Sequence, residues 1–229
     1  MSRSWGGVLQ DTLAVLTFRA TRETLAGLGG RHLLLGLLCT WVVGMGRYWD
    51  DPDAELLQHL GVGSVVYVFA LSLILFLLIW PLAPENWSVV GVLSFVVLTS
   101  PPALLYAIPV ERFTSFAVAR QLNIGFLAVV ALWRVALLVF YLLRHARLRW
   151  FVTAVAALLP LALIVVSLAV LNLEHVVFDI MGGLRDDQHS TNEGAYMVVV
   201  AMAMLSYVAA PVLLLLYAGM VVWVRVRLS

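Results

Sequence analysis

Six apolar runs, each close to the length of a bilayer-crossing helix, restrict the fold of this chain more than any other feature. They lie at about 32–49, 62–82, 87–109, 122–143, 150–172 and 195–224. A hydrocarbon core ~30 Å thick takes roughly 20 apolar residues per helix, and with no water present only helices or closed barrels satisfy their own backbone. The runs predict an all-α, polytopic membrane helical bundle of six transmembrane helices. The first run is short and the last is long enough to tilt or protrude. Composition agrees, with 63% hydrophobic and only 12% charged residues, where soluble domains carry about 25% charged residues.

Arginine placement sets the expected orientation, because cytoplasmic loops collect basic residues. Arg3, Arg19, Arg22 and Arg31 precede the first run, Arg144, Arg147 and Arg149 follow the fourth, and Arg225 and Arg227 end the chain. Six spans put these regions on one side, so both termini are expected in the cytoplasm, with the protein in a bacterial cytoplasmic (inner) membrane. The opposite side receives most of the acidic residues, although Arg47, Arg112, Arg120 and Arg185 fall there too. The net charge of +1 and the short, scattered basic blocks argue against a nucleic-acid partner. Cys39 is the one cysteine, which excludes an intramolecular disulfide. The opening MSRSWGGVLQ lacks a basic segment running straight into an apolar core, so the chain is expected to start on mature sequence.

Residues 1–31 precede the spans as a cytoplasmic segment. Within VLQDTLAVLTFRATRETLAGL, Leu9, Leu13, Leu16 and Ala20 recur at helical spacing. The pattern predicts an amphipathic interfacial helix with Arg19 and Arg22 near lipid phosphates. A helix packed on the ends of the spans would carry the same pattern.

Inside ALWRVALLVF stands Arg134, about 16 Å from either end of its span at 1.5 Å per residue. A charge at that depth needs a partner, a wet cavity or a function, and no Asp or Glu lies well inside any span. The preceding span contains LTSPPALLYAIP, where Pro101 and Pro102 remove backbone donors and leave carbonyls near Val97 and Leu98 without their helical partners. Two readings follow. Arg134 plugs those carbonyls with help from Thr99 and Ser100, or the break opens a polar cavity in which Arg134 binds a lipid phosphate or a carboxylate. Pro160 and Pro211 are expected to kink the fifth and sixth spans similarly. Small residues and methionines along the sixth span suit a core or a self-association seam.

On the outer face, Asp50, Asp51 and His59 could meet Glu174, His175 and Asp179. Carboxylates with imidazoles are the ligand set for a divalent metal such as zinc, manganese or iron. Their spacing is weakly specific, since neither HExxH nor a cysteine pair occurs, and a solvated acidic loop is the plainer account.

The lead-in LTFRATRETLAGL and the run NIGFLAVVALWRVALLVFYLLRHARLRW resemble the bacterial branch of the Yip1-type membrane proteins over about half of the chain. The resemblance implies a compact helical bundle associated with other membrane components, with no catalytic residues to carry over. Two departures stand: that family typically has five spans, and its eukaryotic DLYGP element is absent here. The leading expectation is a noncatalytic protein that organises membrane lipids or a membrane-protein partner, with an anionic group held at Arg134. The alternatives are a small carrier for a lipid or anionic solute, and a metal-dependent membrane enzyme using the outer carboxylates and histidines.

Overall fold

The computed structural model describes residues 4–49, 55–170 and 193–228, and every regular element among them is a helix. Five helices are long and apolar enough to cross a membrane: Val62–Leu82, Val89–Ala107, Ala117–Arg144, Trp150–Ser167 and Ala203–Arg227. The first predicted span is shorter, a 17-residue apolar helix, α3 (Gly30–Gly46). Before it come α1 (Trp5–Leu16) and α2 (Arg22–Ala26). After it follow α4 (Leu56–His59), α5 (Val62–Ile79), α6 (Val89–Leu98), α7 (Phe116–Arg144), α8 (Trp150–Val170) and α9 (Glu193–Leu228).

The central element is α6. Its sequence VVGVLSFVVL is apolar on every side, as a helix enclosed by others must be, and Gly91 to Leu98 are all buried. Both α3 and α5 pack on it directly, and Tyr141 of α7 stacks on Phe95 with ring centroids 4.0 Å apart. Outside this group α8 lies against α7 and α9, and α9 is the most exposed of the long helices.

Small residues at four-residue intervals let α3 approach α6 closely, since without a water-driven force helices in lipid associate through packing and hydrogen bonds. Gly36 and Thr40 face the α6 side, and Gly44, one turn on, lets α3 approach the start of α5. A Cβ at Gly36 would stand 2.9 Å from the backbone carbonyl carbon of Val97, and one at Gly44 would stand 2.8 Å from the carbonyl oxygen of Gly61. Between them the Thr40 and Ser100 hydroxyls meet at 2.7 Å.

The third span does not run as one α-helix. After Leu98 the chain tightens into a 3-10 segment, Pro101–Ala107. Pro160 and Pro211, by contrast, lie inside helices that continue through them. One proline costs one backbone bond, which the neighbouring turns tolerate. Two in succession remove two donors and end the α-helix.

The N-terminal segment also departs from the single helix expected. It consists of two helices joined by a turn, in which Phe18 adopts a left-handed φ of 60°. On α1 the buried side is Val8, Thr12 and Val15, whereas Leu9 and Leu13 are exposed. The helix has two apolar faces, one for protein and one turned outward, and periodicity alone does not say which is which. Three bonds hold it. His32 Nδ1 accepts from the Gly29 amide at 3.3 Å, so its Nε2 carries the proton and faces Asp11 Oδ2 at 3.1 Å. Trp133 Nε1 on α7 donates to the Leu16 carbonyl at 3.0 Å. Phe18 sits edge-on against Phe140.

Arg22 belongs to an ion-pair group at the surface. It pairs with Glu85, whose other oxygen is 3.4 Å from Arg147 Nη1. Arg19 is exposed. One end of the bundle therefore gathers the N-terminal helices, the α5–α6 connection and the α7–α8 turn. Exposed Trp80, Trp150 and Trp223 stand near the same ends of their helices, as interfacial aromatics do.

His145 belongs to this end. Its Nε2–H donates to the Asn86 carbonyl at 3.2 Å, and its buried Nδ1 has no partner among the described residues. Burial lowers its pKa below the ordinary 6.5, the Asn86 bond opposes this, and the Arg22 charge adds to the lowering. A depressed histidine pKa means that the unfolded chain binds the proton first, so stability falls as pH drops below about 6.5. Thermal unfolding in detergent at pH 7.5 and 5.5 should show a smaller acid-induced loss for His145→Phe than for wild type. A second measurement concerns the α3–α6 contact. Gly36→Ala should destabilise by about 1–3 kcal/mol through overpacking, while Gly125→Ala, which meets nothing within 4 Å, should leave stability unchanged or slightly raised.

Candidate functional site

Arg134 is placed by α7, ten residues from the helix end at Arg144, a depth of about 15 Å. Thr99, the first residue beyond α6, meets it there. Arg134 Nε donates to Thr99 Oγ1 at 3.3 Å. That hydroxyl spends its own proton on the Val96 carbonyl at 2.7 Å and so has lone pairs to offer the guanidinium.

Arg134 donates to none of the backbone carbonyls near Val97 and Leu98 that were expected to receive it. Val96 O accepts from the Thr99 amide and Val97 O from the Ser100 amide, each at 3.2 Å. These are i to i+3 bonds, by which a tightening last turn satisfies the carbonyls that a helix end leaves over. Ser100 is also committed elsewhere. Thr40 Oγ1 donates to Gly36 O at 2.8 Å, so the hydroxyl proton in the Thr40–Ser100 contact is that of Ser100. Ser100 faces α3, away from Arg134.

What remains around the guanidinium is aromatic. Its Cζ lies 5.9 Å from the ring centroid of Tyr67 on α5, within cation–π range. Tyr106 on the 3-10 segment has Arg47 over its ring instead, with Cζ 5.8 Å from the centroid. Neither tyrosine was among the expected site residues. A signal existed in VGSVVYVFALSL, where Tyr67 is the one phenol in an otherwise apolar helix face. Helices α5 and α7 scarcely touch along their lengths, so Arg134 and Tyr67 face each other across a gap floored by Thr99 and the 3-10 segment.

Arg134 has five N–H donors. Among the described residues it makes the single hydrogen bond to Thr99, and its buried Nη2 has no partner. A planar guanidinium with adjacent unsatisfied donors is a ready receptor for two oxygens of a phosphate or carboxylate. Among the described residues Arg134 meets the Thr99 hydroxyl and the Tyr67 ring, an arrangement that suits binding.

The outer acidic cluster is a different case. Asp50, Asp51, Glu174, His175 and Asp179 lie outside the described residues, and His59 ends α4. Among the described residues no three His, Cys, Asp or Glu side chains form a metal-binding group. Comparison with protein-family models, curated proteins and solved structures finds no match for this chain.

Proposed function

We propose that the chain is a noncatalytic protein of six spans with an interfacial N-terminal segment, which organises membrane lipids or a membrane partner by holding an anionic group at Arg134. The unsatisfied Nη2 of Arg134 carries this reading. A charge buried without partners is costly, and a ligand that supplies two oxygens and a negative charge repays that cost. The plug reading loses support because the one hydrogen bond of Arg134 among the described residues goes to the Thr99 hydroxyl and not to a backbone carbonyl.

In the six-span reading α3 is the first span. Its 17 residues reach about 25 Å, and a short span is accommodated by local thinning of the bilayer. The arginine-rich end that includes Arg22, Arg147 and Arg225 then faces the cytoplasm, in a bacterial inner membrane. The Yip1-type likeness belongs to the same reading, and the outward Leu9 and Leu13 of α1 suit a helix that rests in the interface. The carrier alternative uses the same site and adds movement of α5 against α7, helices that barely pack on each other.

The test compares Arg134→Met with wild type in mild detergent by native mass spectrometry, with thermal unfolding alongside. The variant should lose a co-purifying anionic lipid or solute. Its melting temperature should stay within about 4 °C of wild type, the shift that roughly 1 kcal/mol produces in a chain of this size. A larger fall with the bound species unchanged would return Arg134 to a structural role. Reconstituted vesicles in which wild type moves an anionic lipid between leaflets, and Arg134→Met does not, would select the carrier.

A further inference from the structure

A second feature stands apart from Arg134. At the tryptophan-bearing end described above, α9 and the turn that closes α5 enclose an open groove of about 840 Å3, within the ~300–1,000 Å3 typical of small-ligand sites. Pro211, Leu214, Ala218, Val221 and Arg225 form one stripe of α9 along it, and Pro81 closes the other wall. Tyr217 also lines it, but its hydroxyl donates to the Leu78 carbonyl at 2.6 Å, so it ties α9 to α5 and offers no polar group to the groove.

The groove has one charged residue, Arg225, at one end. Among the described residues Arg225 makes no hydrogen bond or ion pair. The apolar stretch from Pro211 to Val222 is about 16 Å long at 1.5 Å per residue. One leaflet of hydrocarbon, half of a ~30 Å core, is about 15 Å deep. Exposed Trp223 marks the interface between that stretch and the cation.

We infer that this groove binds one anionic phospholipid of the adjacent leaflet, an acyl chain lying along α9 and the phosphate on Arg225. Charge selects anionic over zwitterionic headgroups. A headgroup ammonium would need a carboxylate, none lines the groove among the described residues, and Glu85 at this end is held by Arg22 and Arg147. The inference does not depend on Arg134, which lies on α7 at mid-membrane depth.

The full chain, stripped of lipid and titrated with phosphatidylglycerol or phosphatidylcholine, is read by native mass spectrometry. Wild type and Arg134→Met should each retain a phosphatidylglycerol adduct that phosphatidylcholine does not replace. Arg225→Gln should bind it roughly fivefold more weakly, the effect of about 1 kcal/mol per interfacial arginine. Ala218→Trp, which fills the groove and leaves Arg225 in place, should bind it more weakly as well. An adduct unchanged in both groove variants, or equal binding of phosphatidylcholine, overturns the assignment. So does a dimer cross-linked through α9, because a second copy would then cover the groove.

Discussion

Inside hydrocarbon a backbone carbonyl has no water to turn to, and the structure around α6 depends on how the carbonyls beside Pro101 and Pro102 are satisfied. Two prolines end the α-helix at mid-depth in the most enclosed element of the bundle. The chain answers by tightening, so that Thr99 and Ser100 donate backward to Val96 and Val97. The solution is local and needs no side chain from a neighbour. It also changes the helix rise and turns Ser100 toward Thr40, while leaving the Thr99 hydroxyl for Arg134. The α3–α6 contact and the position of Arg134 both follow from that one adjustment.

Arg134 donates to none of these carbonyls, so its donors are not consumed as those of a structural filler would be. It has one neutral hydrogen bond, to Thr99, and the face of Tyr67. Cation–π contact offsets part of the cost of burying a charge, at about 0.5–2 kcal/mol per ring, well short of what two carboxylate or phosphate oxygens return in a site shielded from water. Tyr67 therefore holds the cation in place without neutralising it.

Much of this architecture is legible from the sequence, for identifiable reasons. Lipid imposes apolarity over a whole helix, so the long runs stand out with ends close to those observed, and the depth match between Arg134 and the residues after Leu98 follows from counting at a fixed rise per residue. Side-chain allegiance is harder to read. Ser100 and Thr99 are neighbours in sequence yet serve different helices, a choice made by the rotation of the 3-10 segment. Leu9 and Val8 are equally apolar, but only Val8 finds protein beside it. The spacing of Gly36, Thr40 and Gly44 is itself a readable sign of close helix approach, by which α3 meets α6 and the start of α5. Tyr67, the one phenol in an apolar stretch, stands out in the sequence, but nothing there names Arg134 as its partner.

Polar ties join separate elements at both ends of the bundle, Trp41 to Leu60 and Trp49 to Ala107 among them, and their distribution bears on what can move. Toward the tryptophan-bearing end, polar ties cross between elements far apart in sequence: Asp11 to His32, Trp133 to Leu16, Glu85 to Arg22 and Arg147, His145 to Asn86, and Tyr217 to Leu78. Each must break if its helices are to separate, and in a low-dielectric setting each broken tie exposes a costly polar group. Beyond Arg134 toward the other end, α5 and α7 lack comparable ties to each other along the described residues and meet mainly through Arg134 and Tyr67. Any opening that admits an anion to the guanidinium is therefore easiest between these two helices. The sole cation–π contact bridging them is the one that an incoming anion would compete with.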